Sequence, residues 1–272
     1  MNTAQSTNEI ITLPPAVAGM FYPADRQQLH DDISQYLNAA MGSSAASLVP
    51  KEVIAPHAGY VYSGPVAASA YVRLLPAREL IHRVVLLGPS HRVPFRGLAT
   101  SSADVFTTPL GPVTLDRETI DSLTDLPQVH RLDEAHAQEH SLEVHLPFLQ
   151  ETLDDFQLVP LVVGDARPAE VAEVLERLWG GPETLIVISS DLSHYHDYVT
   201  AKRLDRHTSD AIEALRAETV HSEDACGCVP VSGLLYLARE HGLHASTVDL
   251  RNSGDTAGLK DRVVGYGAYV FN

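Results

Sequence analysis

The sequence lacks the features that mark several large classes of protein. It has only two cysteines, Cys226 and Cys228, and a single residue separates them. A disulfide between such close cysteines would be strained, so we expect free thiols and no disulfide framework. No apolar run approaches the roughly 20 residues that a membrane-spanning helix needs. The first residues do not join a basic segment to an apolar one, so we expect no signal peptide and a cytoplasmic protein.

Basic residues are also scarce. The chain has 19 Lys and Arg against 35 Asp and Glu, which gives a formal net charge of −16. This charge repels phosphate backbones and no basic stripe offsets it, so nucleic acid is not an expected partner. We interpret the acidity mainly as a source of solubility. Histidine, in contrast, is frequent, with 14 residues whose positions are worth tracing.

Apolar runs that alternate with helical patterns indicate the fold class. Runs such as "VVLLG" and "LIVIS" have no period of two, which is typical of strands covered on both faces. We therefore predict a single α/β domain over residues 13–272, with a largely parallel central sheet flanked by helices, after a disordered N-terminus at residues 1–12. The predicted helices include 24–41, 65–75 from Pro65, 133–153 limited or restarted by Pro147, 167–180, 200–217 and 230–242.

Three of the predicted strands end in histidine or aspartate. His57 follows "IAP", His91 follows "LLGPS", and "SSDLSHYH" brings Asp191 and His194 after "TLIVI". Ligands of open α/β sheets bind outside the carboxyl ends of the strands, so we expect these side chains to meet in one crevice. Neutral imidazole is the commonest metal ligand among side chains. His57 and His91 are therefore the first candidates for metal ligands.

Other polar residues near these strand ends have more than one interpretation. His194 has an ordinary pKa suited to proton transfer, and Asp191 either orients its ring or a bound water, or caps the following helix. His140 shares a helix face with Glu143, so it either lines the crevice or belongs to a helix N-terminus with satisfied polar groups. His196 could pair with His194 as a zinc site.

Five motifs in order carry a family resemblance: "PHAGYVYSG", "GPSH", "EHSLEVHLPFL", "SSDLSHY" and "CGCVP". The chain resembles the Memo family, the B component of the AmmeMemoRadiSam group, which is similar to class III extradiol dioxygenases. The resemblance extends from "AGMFYP" to the final strand. It implies that His57, His91 and Cys226 bind a metal, with Cys226 where the dioxygenases have a glutamate. It also places Asp191 and His194 near the metal, with a histidine in the acid/base role.

The resemblance leads to a functional hypothesis with open alternatives. We expect a mononuclear His₂Cys site, with Fe(II) foremost and Cu or Zn as other candidates, and dioxygenase-like redox chemistry on an unknown substrate. His194, Asp191 and His140 are the catalytic candidates. A non-catalytic copper-binding or peptide-interaction protein and a zinc hydrolase remain alternatives. The expected partners are a small molecule or peptide in the crevice and the other AmmeMemoRadiSam components, with no membrane. Cys228 is the second candidate for the cysteine ligand, but on an extended chain it would face away from the site, so we expect a small buried apolar group.

Overall fold

Strands and helices alternate along the chain. The computed structural model of the protein describes residues 10–42 and 48–272. Its strands are β1 (Thr12–Leu13), β2 (Glu52–Ala55), β3 (Arg83–Pro89), β4 (Leu98–Thr100), β5 (Val105–Thr108), β6 (Gly111–Thr114), β7 (Val129–Arg131), β8 (Gln157–Val163), β9 (Thr184–Ser189), β10 (His194–His196), β11 (Ala245–Asn252) and β12 (Val263–Phe271). Its α-helices are α1 (Arg26–Met41), α2 (Tyr60–Tyr71), α3 (Arg117–Asp121), α4 (Asp133–Ala137), α5 (His140–Glu143), α6 (Leu146–Thr152), α7 (Pro168–Arg177), α8 (Tyr198–Glu213) and α9 (Cys228–Glu240).

Four parallel strands form the centre of the main sheet. They lie in the order β2, β9, β3, β8, and each pairs in parallel with its neighbour. Every residue of β2 and β9 is buried, because helices cover the sheet: α2 contacts β2, and α9 contacts β3 and β9. Burial on both faces explains the unbroken apolar runs in the sequence. The prediction of a single α/β domain agrees with this architecture.

The sheet is mixed, which corrects the prediction of a largely parallel one. Strand β12 pairs antiparallel with β2, β10 and β11, and β4 pairs antiparallel with β8. Only residues 253–262 separate β11 from β12, and a connection of that length favours antiparallel neighbours over a crossover. A second, three-stranded sheet has the order β1, β5, β6.

Several helix boundaries differ from the predicted ones. Helix α2 begins at Tyr60, so Pro65 lies inside the helix and not at its first position as predicted. The predicted helix 133–153 is divided into α4, α5 and α6, although its leucines keep helical spacing. Pro147 lies in the first turn of α6, where its missing N–H has no helical partner to lose.

The N-terminal part of the domain begins earlier than predicted. Of the terminus 1–12 predicted to be disordered, residues 1–9 lie outside the described residues. Ile11 is already hydrogen-bonded, since its carbonyl accepts the backbone N–H of Asp104 at 2.8 Å. Thr12 pairs with Val105 in the smaller sheet. Within residues 10–42 and 48–272, no helix combines the length and apolar character that crossing a bilayer would need.

Candidate metal centre

The three strand ends singled out in the sequence lie side by side. His57 follows β2, Asp191 follows β9 and His91 follows β3, and β9 lies between the other two strands. Parallel strands end at the same edge of a sheet, so their topology alone brings these residues together. The rings of His57 and His91 are 5.1 Å apart between centroids.

Cys226 reaches the same edge on the segment between α8 and α9. The backbone N–H of Asp191 donates to its Sγ at 3.3 Å. The next residue, Gly227, donates its own N–H to the Ser190 hydroxyl at 3.0 Å. A Cβ at Gly227 would lie 2.6 Å from the Ser189 carbonyl oxygen, so only glycine lets this segment pack against the end of β9.

His57, His91 and Cys226 have the spacing of ligands to a single ion. Their ligand atoms all lie within 4.8 Å of one another, and His57 Nε2 is 3.3 Å from Cys226 Sγ. Zinc–sulfur and zinc–nitrogen bonds of roughly 2.3 and 2.0 Å at a tetrahedral angle separate the two donors by about 3.5 Å. The observed separation is close to that value. His57 is buried, Cys226 is half-buried and His91 is exposed, so an ion here would face solvent on one side.

A hydrogen-bond chain fixes the tautomer of His57. The Ser189 hydroxyl donates its proton to the Ser141 carbonyl at 2.6 Å. Its oxygen therefore accepts from His57 Nδ1, also at 2.6 Å. With the proton on Nδ1, the lone pair lies on Nε2, which is the atom facing Cys226.

Glu139 fixes His91 in the same way. Its carboxylate accepts the His91 Nδ1–H at 2.8 Å and the His91 backbone N–H at 2.6 Å. The backbone N–H groups of His140 and Ser141 also donate to it, each at 3.0 Å. Burial alone would raise the pKa of Glu139, but these hydrogen bonds lower it to about 2. The carboxylate is thus charged, and His91 Nε2 is free to bind a metal.

The donor set of the cluster suits a soft cation, although the metal has to displace a thiol proton. Burial, then the nearby histidines, holds the pKa of His57 well below its usual value, so its ring is neutral. Burial and the neighbouring Asp191 raise the pKa of the Cys226 thiol to about 12. Without a cation the sulfur keeps its proton and can share it with His57 Nε2. A metal must displace that proton, and two imidazoles with a thiolate suit Cu(I), Zn or Fe better than Mg or Mn.

Asp191 supports the His57 segment. Its Oδ1 accepts the backbone N–H of His57 at 2.8 Å, and burial raises its pKa to about 7. The alternative in which Asp191 caps the following helix is wrong, because Asp197 caps α8. The backbone of Asp191 bonds with the side chains of Ser190 and Cys226. Among the described residues its carboxylate has no hydrogen bond to His194, so it does not orient that ring.

His140 and His194 line the cleft that leads to this cluster. The His140 ring stacks on His91 with centroids 4.6 Å apart and lies 5.4 Å from His57. Burial lowers the pKa of His140 to about 4 and also lowers that of His194, so both rings are neutral at physiological pH. The cleft has a volume of about 680 Å³ and is also lined by Phe21, Ala58, Gly59, Tyr195, His196, Ser222, Glu223 and Val264.

Sequence reasoning missed the residues that orient the histidines. In the sequence, Ser189 cannot be distinguished from the other residues of a buried strand, and Glu139 cannot be distinguished from an ordinary residue before a helix. The one available signal was the requirement of a metal-binding histidine for a partner on its second nitrogen. Among the described residues a second possible ligand group consists of His91, Glu139 and His140. His194 and His196 belong to neither group. Cys228 is also outside both groups, as expected, but it is half-buried and not buried, because it lies at the first turn of α9.

These observations define an α/β protein with a candidate metal centre at the carboxyl ends of its parallel strands. Comparison with known proteins identifies the family. The model of the family described as "Memo-like protein" matches residues 14–270. The chain belongs to this family.

Relatives of similar length agree with that assignment. A MEMO1 family protein of Aquifex aeolicus is 36% identical over 270 residues, which cover 94% of this chain and 98% of the relative. A MEMO1 family protein of Ignicoccus hospitalis is 37% identical over 286 residues, covering 96% and 99%. One from Archaeoglobus fulgidus is 36% identical over 269 residues, covering 94% and 98%.

Proposed function

We propose that the protein binds one metal ion through His57 Nε2, His91 Nε2 and Cys226 Sγ and uses it in redox chemistry on a small substrate. The single observation that carries this proposal is the convergence of those three donor atoms within 4.8 Å. The hydrogen bonds of Ser189 and Glu139 support it, because both engage Nδ1 of a histidine ring and leave Nε2 as the nitrogen available to a metal. Iron(II) is the foremost candidate, with copper and zinc as alternatives.

The proposed reaction resembles that of class III extradiol dioxygenases, in which both atoms of O₂ enter an organic substrate. The parallel centre of the sheet and the cleft at its carboxyl edge are consistent with that architecture. An iron(II) ion held by three protein ligands would supply open positions for oxygen and substrate. The thiolate of Cys226 replaces the carboxylate of those enzymes and is a softer donor.

The cleft residues have distinct proposed roles. His194 is neutral at physiological pH, so one of its ring nitrogens can take a proton from a bound substrate hydroxyl. His140 lies against His91 and offers a second imidazole to the substrate, while its buried Nδ1 lies 3.3 Å from Glu139 Oε1. Asp191 holds the backbone of His57 and thereby keeps this ligand in place. Substrate access from the exposed side of His91 agrees with the open cleft.

A non-catalytic function is the second candidate. A half-buried cysteine beside two imidazoles favours Cu(I) binding, and such a site could sequester copper without turnover. The same cleft could also receive a peptide segment. For either function we propose a cytoplasmic protein, with the other AmmeMemoRadiSam components as partners and neither nucleic acid nor a membrane surface.

The two cysteines offer a matched test of the metal site. Anaerobic titration with Fe(II), Cu(I), Zn(II) and Co(II), followed by elemental analysis, should give one metal per chain. Cys226→Ser and His57→Ala should weaken binding at least tenfold, whereas Cys228→Ser should not, since Cys228 lies outside the ligand group. Equal metal content in Cys226→Ser and the unchanged protein would disprove the proposal.

Oxygen consumption separates the two candidate functions. The iron-loaded protein should consume O₂ in the presence of oxidisable small aromatic substrates, and His194→Gln should slow that uptake. Tight Cu(I) binding without O₂ uptake for any substrate tested would instead favour sequestration.

A further inference from the structure

Tyr195 has a backbone conformation that tyrosine rarely adopts. Its φ is +64°, in the left-handed region, where a bulky side chain is a genuine outlier. Residues in this region cluster at ligand clamps and active sites, where surrounding structure holds them against the strain. The only other residue with a side chain in this region of the described chain is Leu215.

Leu215 has an ordinary explanation that does not apply to Tyr195. Leu215 follows the last turn of α8, and the next N–H, from Arg216, bonds to the Ala211 carbonyl at 2.9 Å. Helices commonly end in this way, with one left-handed residue. Tyr195 lies within a strand, so no helix end requires its conformation.

A β-bulge causes the conformation of Tyr195. His194 pairs with Val264 and His196 pairs with Val263, so Tyr195 is the extra residue between two consecutive partners. The left-handed position of such a bulge is usually glycine. Bulges beside active sites redirect a side chain, and this one directs an aromatic ring to the cleft.

The ring of Tyr195 is open to a ligand. Its residue is 63% exposed, although it lines the cleft beside the metal cluster. The Arg262 guanidinium lies 4.4 Å from the ring centroid and covers part of the ring. Phe21 also lines the cleft and contacts the His140 ring at 4.8 Å between centroids. The cleft therefore has two aromatic wall residues beside its histidines.

We infer that Tyr195 is a ligand-contact residue, and that its ring stacks on the planar, π-bonded part of a ligand that reaches the candidate metal centre. This inference deepens the proposed function, because the ligand lies in the same cleft. Glycine or asparagine would adopt this backbone conformation with less strain. We therefore attribute the presence of tyrosine to a contact that its ring makes with a ligand. Stacking between aromatic rings favours a planar group over a puckered one of equal size.

Two ligands of similar size test the stacking. Benzohydroxamate and cyclohexanecarbohydroxamate share a metal-binding group but differ in ring planarity. Their affinities are measured by titration in the Co(II)-loaded and the metal-free protein. We expect a two- to tenfold preference for the planar ligand in the unchanged protein and in Tyr195→Phe. The preference should fall to near one in Tyr195→Ala and Tyr195→Gly.

Tyr62 provides the matched control. It is an exposed tyrosine in the first turn of α2 with an ordinary backbone, and it does not line the cleft. Tyr62→Ala should keep the planar preference. In urea unfolding, Tyr195→Gly should be more stable than Tyr195→Ala, whereas Tyr62→Gly should be less stable than Tyr62→Ala.

Each outcome decides on a separate statement. A preference near one in both metal states of the unchanged protein, or one that persists in Tyr195→Ala, overturns the inference. Greater stability of Tyr195→Ala than of Tyr195→Gly overturns the strain argument and with it the inference. Failure of the metal site is recognised independently, by Co(II) binding that Cys226→Ser leaves unchanged.

Discussion

Replacing Glu139 with glutamine tests whether hydrogen bonds behind the ligands control metal binding. The Glu139 carboxylate accepts the ring Nδ1–H of His91 and three backbone N–H groups. A glutamine of the same shape keeps one acceptor oxygen and turns an NH₂ group toward donors. The substitution therefore leaves either the ring Nδ1–H or the backbone N–H of His91 without its carboxylate acceptor.

The expected magnitude follows from that exchange. Loss of a carboxylate behind a metal-binding histidine typically costs 10–100-fold in affinity, or about 1.4–2.7 kcal/mol. The folded state should also lose about 1–3 kcal/mol, because a buried donor is left unpaired. Both effects are measured on Glu139→Gln, by Co(II) titration of the thiolate charge-transfer band and by urea unfolding.

Glu143 is the matched control for this experiment. It is also a buried carboxylate, and it accepts the Ala16 and Val17 N–H groups and the Tyr22 hydroxyl at 2.6–3.0 Å. Among the described residues Glu143 has no hydrogen bond or ion pair with a histidine. Glu143→Gln should therefore lower stability by a similar amount and leave Co(II) affinity unchanged. Unchanged affinity in Glu139→Gln, or an equal loss in both variants, would refute the reasoning.

Three further predictions concern residues outside the candidate metal centre. Burial raises the pKa of Asp205 from 3.8 to about 6, so the folded protein holds this proton more tightly than the unfolded chain does. The stability that this group contributes below pH 4 is therefore lost as the pH rises through 6. Asp205→Asn should therefore gain about 3 kcal/mol relative to the unchanged protein between pH 4 and pH 7; a constant difference in urea unfolding would contradict this. A Cβ at Gly265 would collide with the Asp205 carboxylate. Gly265→Ala should therefore lower the free energy of unfolding by about 1–3 kcal/mol. A double-mutant cycle should show a smaller loss in an Asp205→Ala background. Lys51 Nζ donates to the carbonyls of Trp179, Gly181 and Thr184, so Lys51→Met should lower the free energy of unfolding by about 2–4 kcal/mol, and a thermal midpoint equal to that of the unchanged protein would count against these bonds.

Topology made part of the site predictable from sequence. His57, His91 and Asp191 each follow an apolar run, and the carboxyl ends of parallel strands meet at one edge of a sheet. This rule needs no knowledge of side-chain packing. Cys226 follows no strand, so its place beside the histidines was expected only from the family resemblance. Its position depends on the close approach of Gly227 to β9, which no local pattern reveals.

The remaining features depend on tertiary contacts. Ser189 and Glu139 orient ring nitrogens through partners far away in sequence, such as the Ser141 carbonyl. Leucine periodicity does not show where a helix is interrupted, so the division of 133–153 was missed. The left-handed conformation of Tyr195 follows from its pairing with β12, and tyrosine would not suggest it.

The sulfur donor and the two imidazoles come from different kinds of segment, which affects how this centre can change. Both imidazoles follow strands of the main sheet directly, whereas Cys226 lies on the segment that connects α8 and α9. One donor can therefore be exchanged without rebuilding the scaffold. Under the proposed function, Cys226→Glu replaces a soft donor by a hard one, so the metal preference measured by competitive titration should shift toward harder ions.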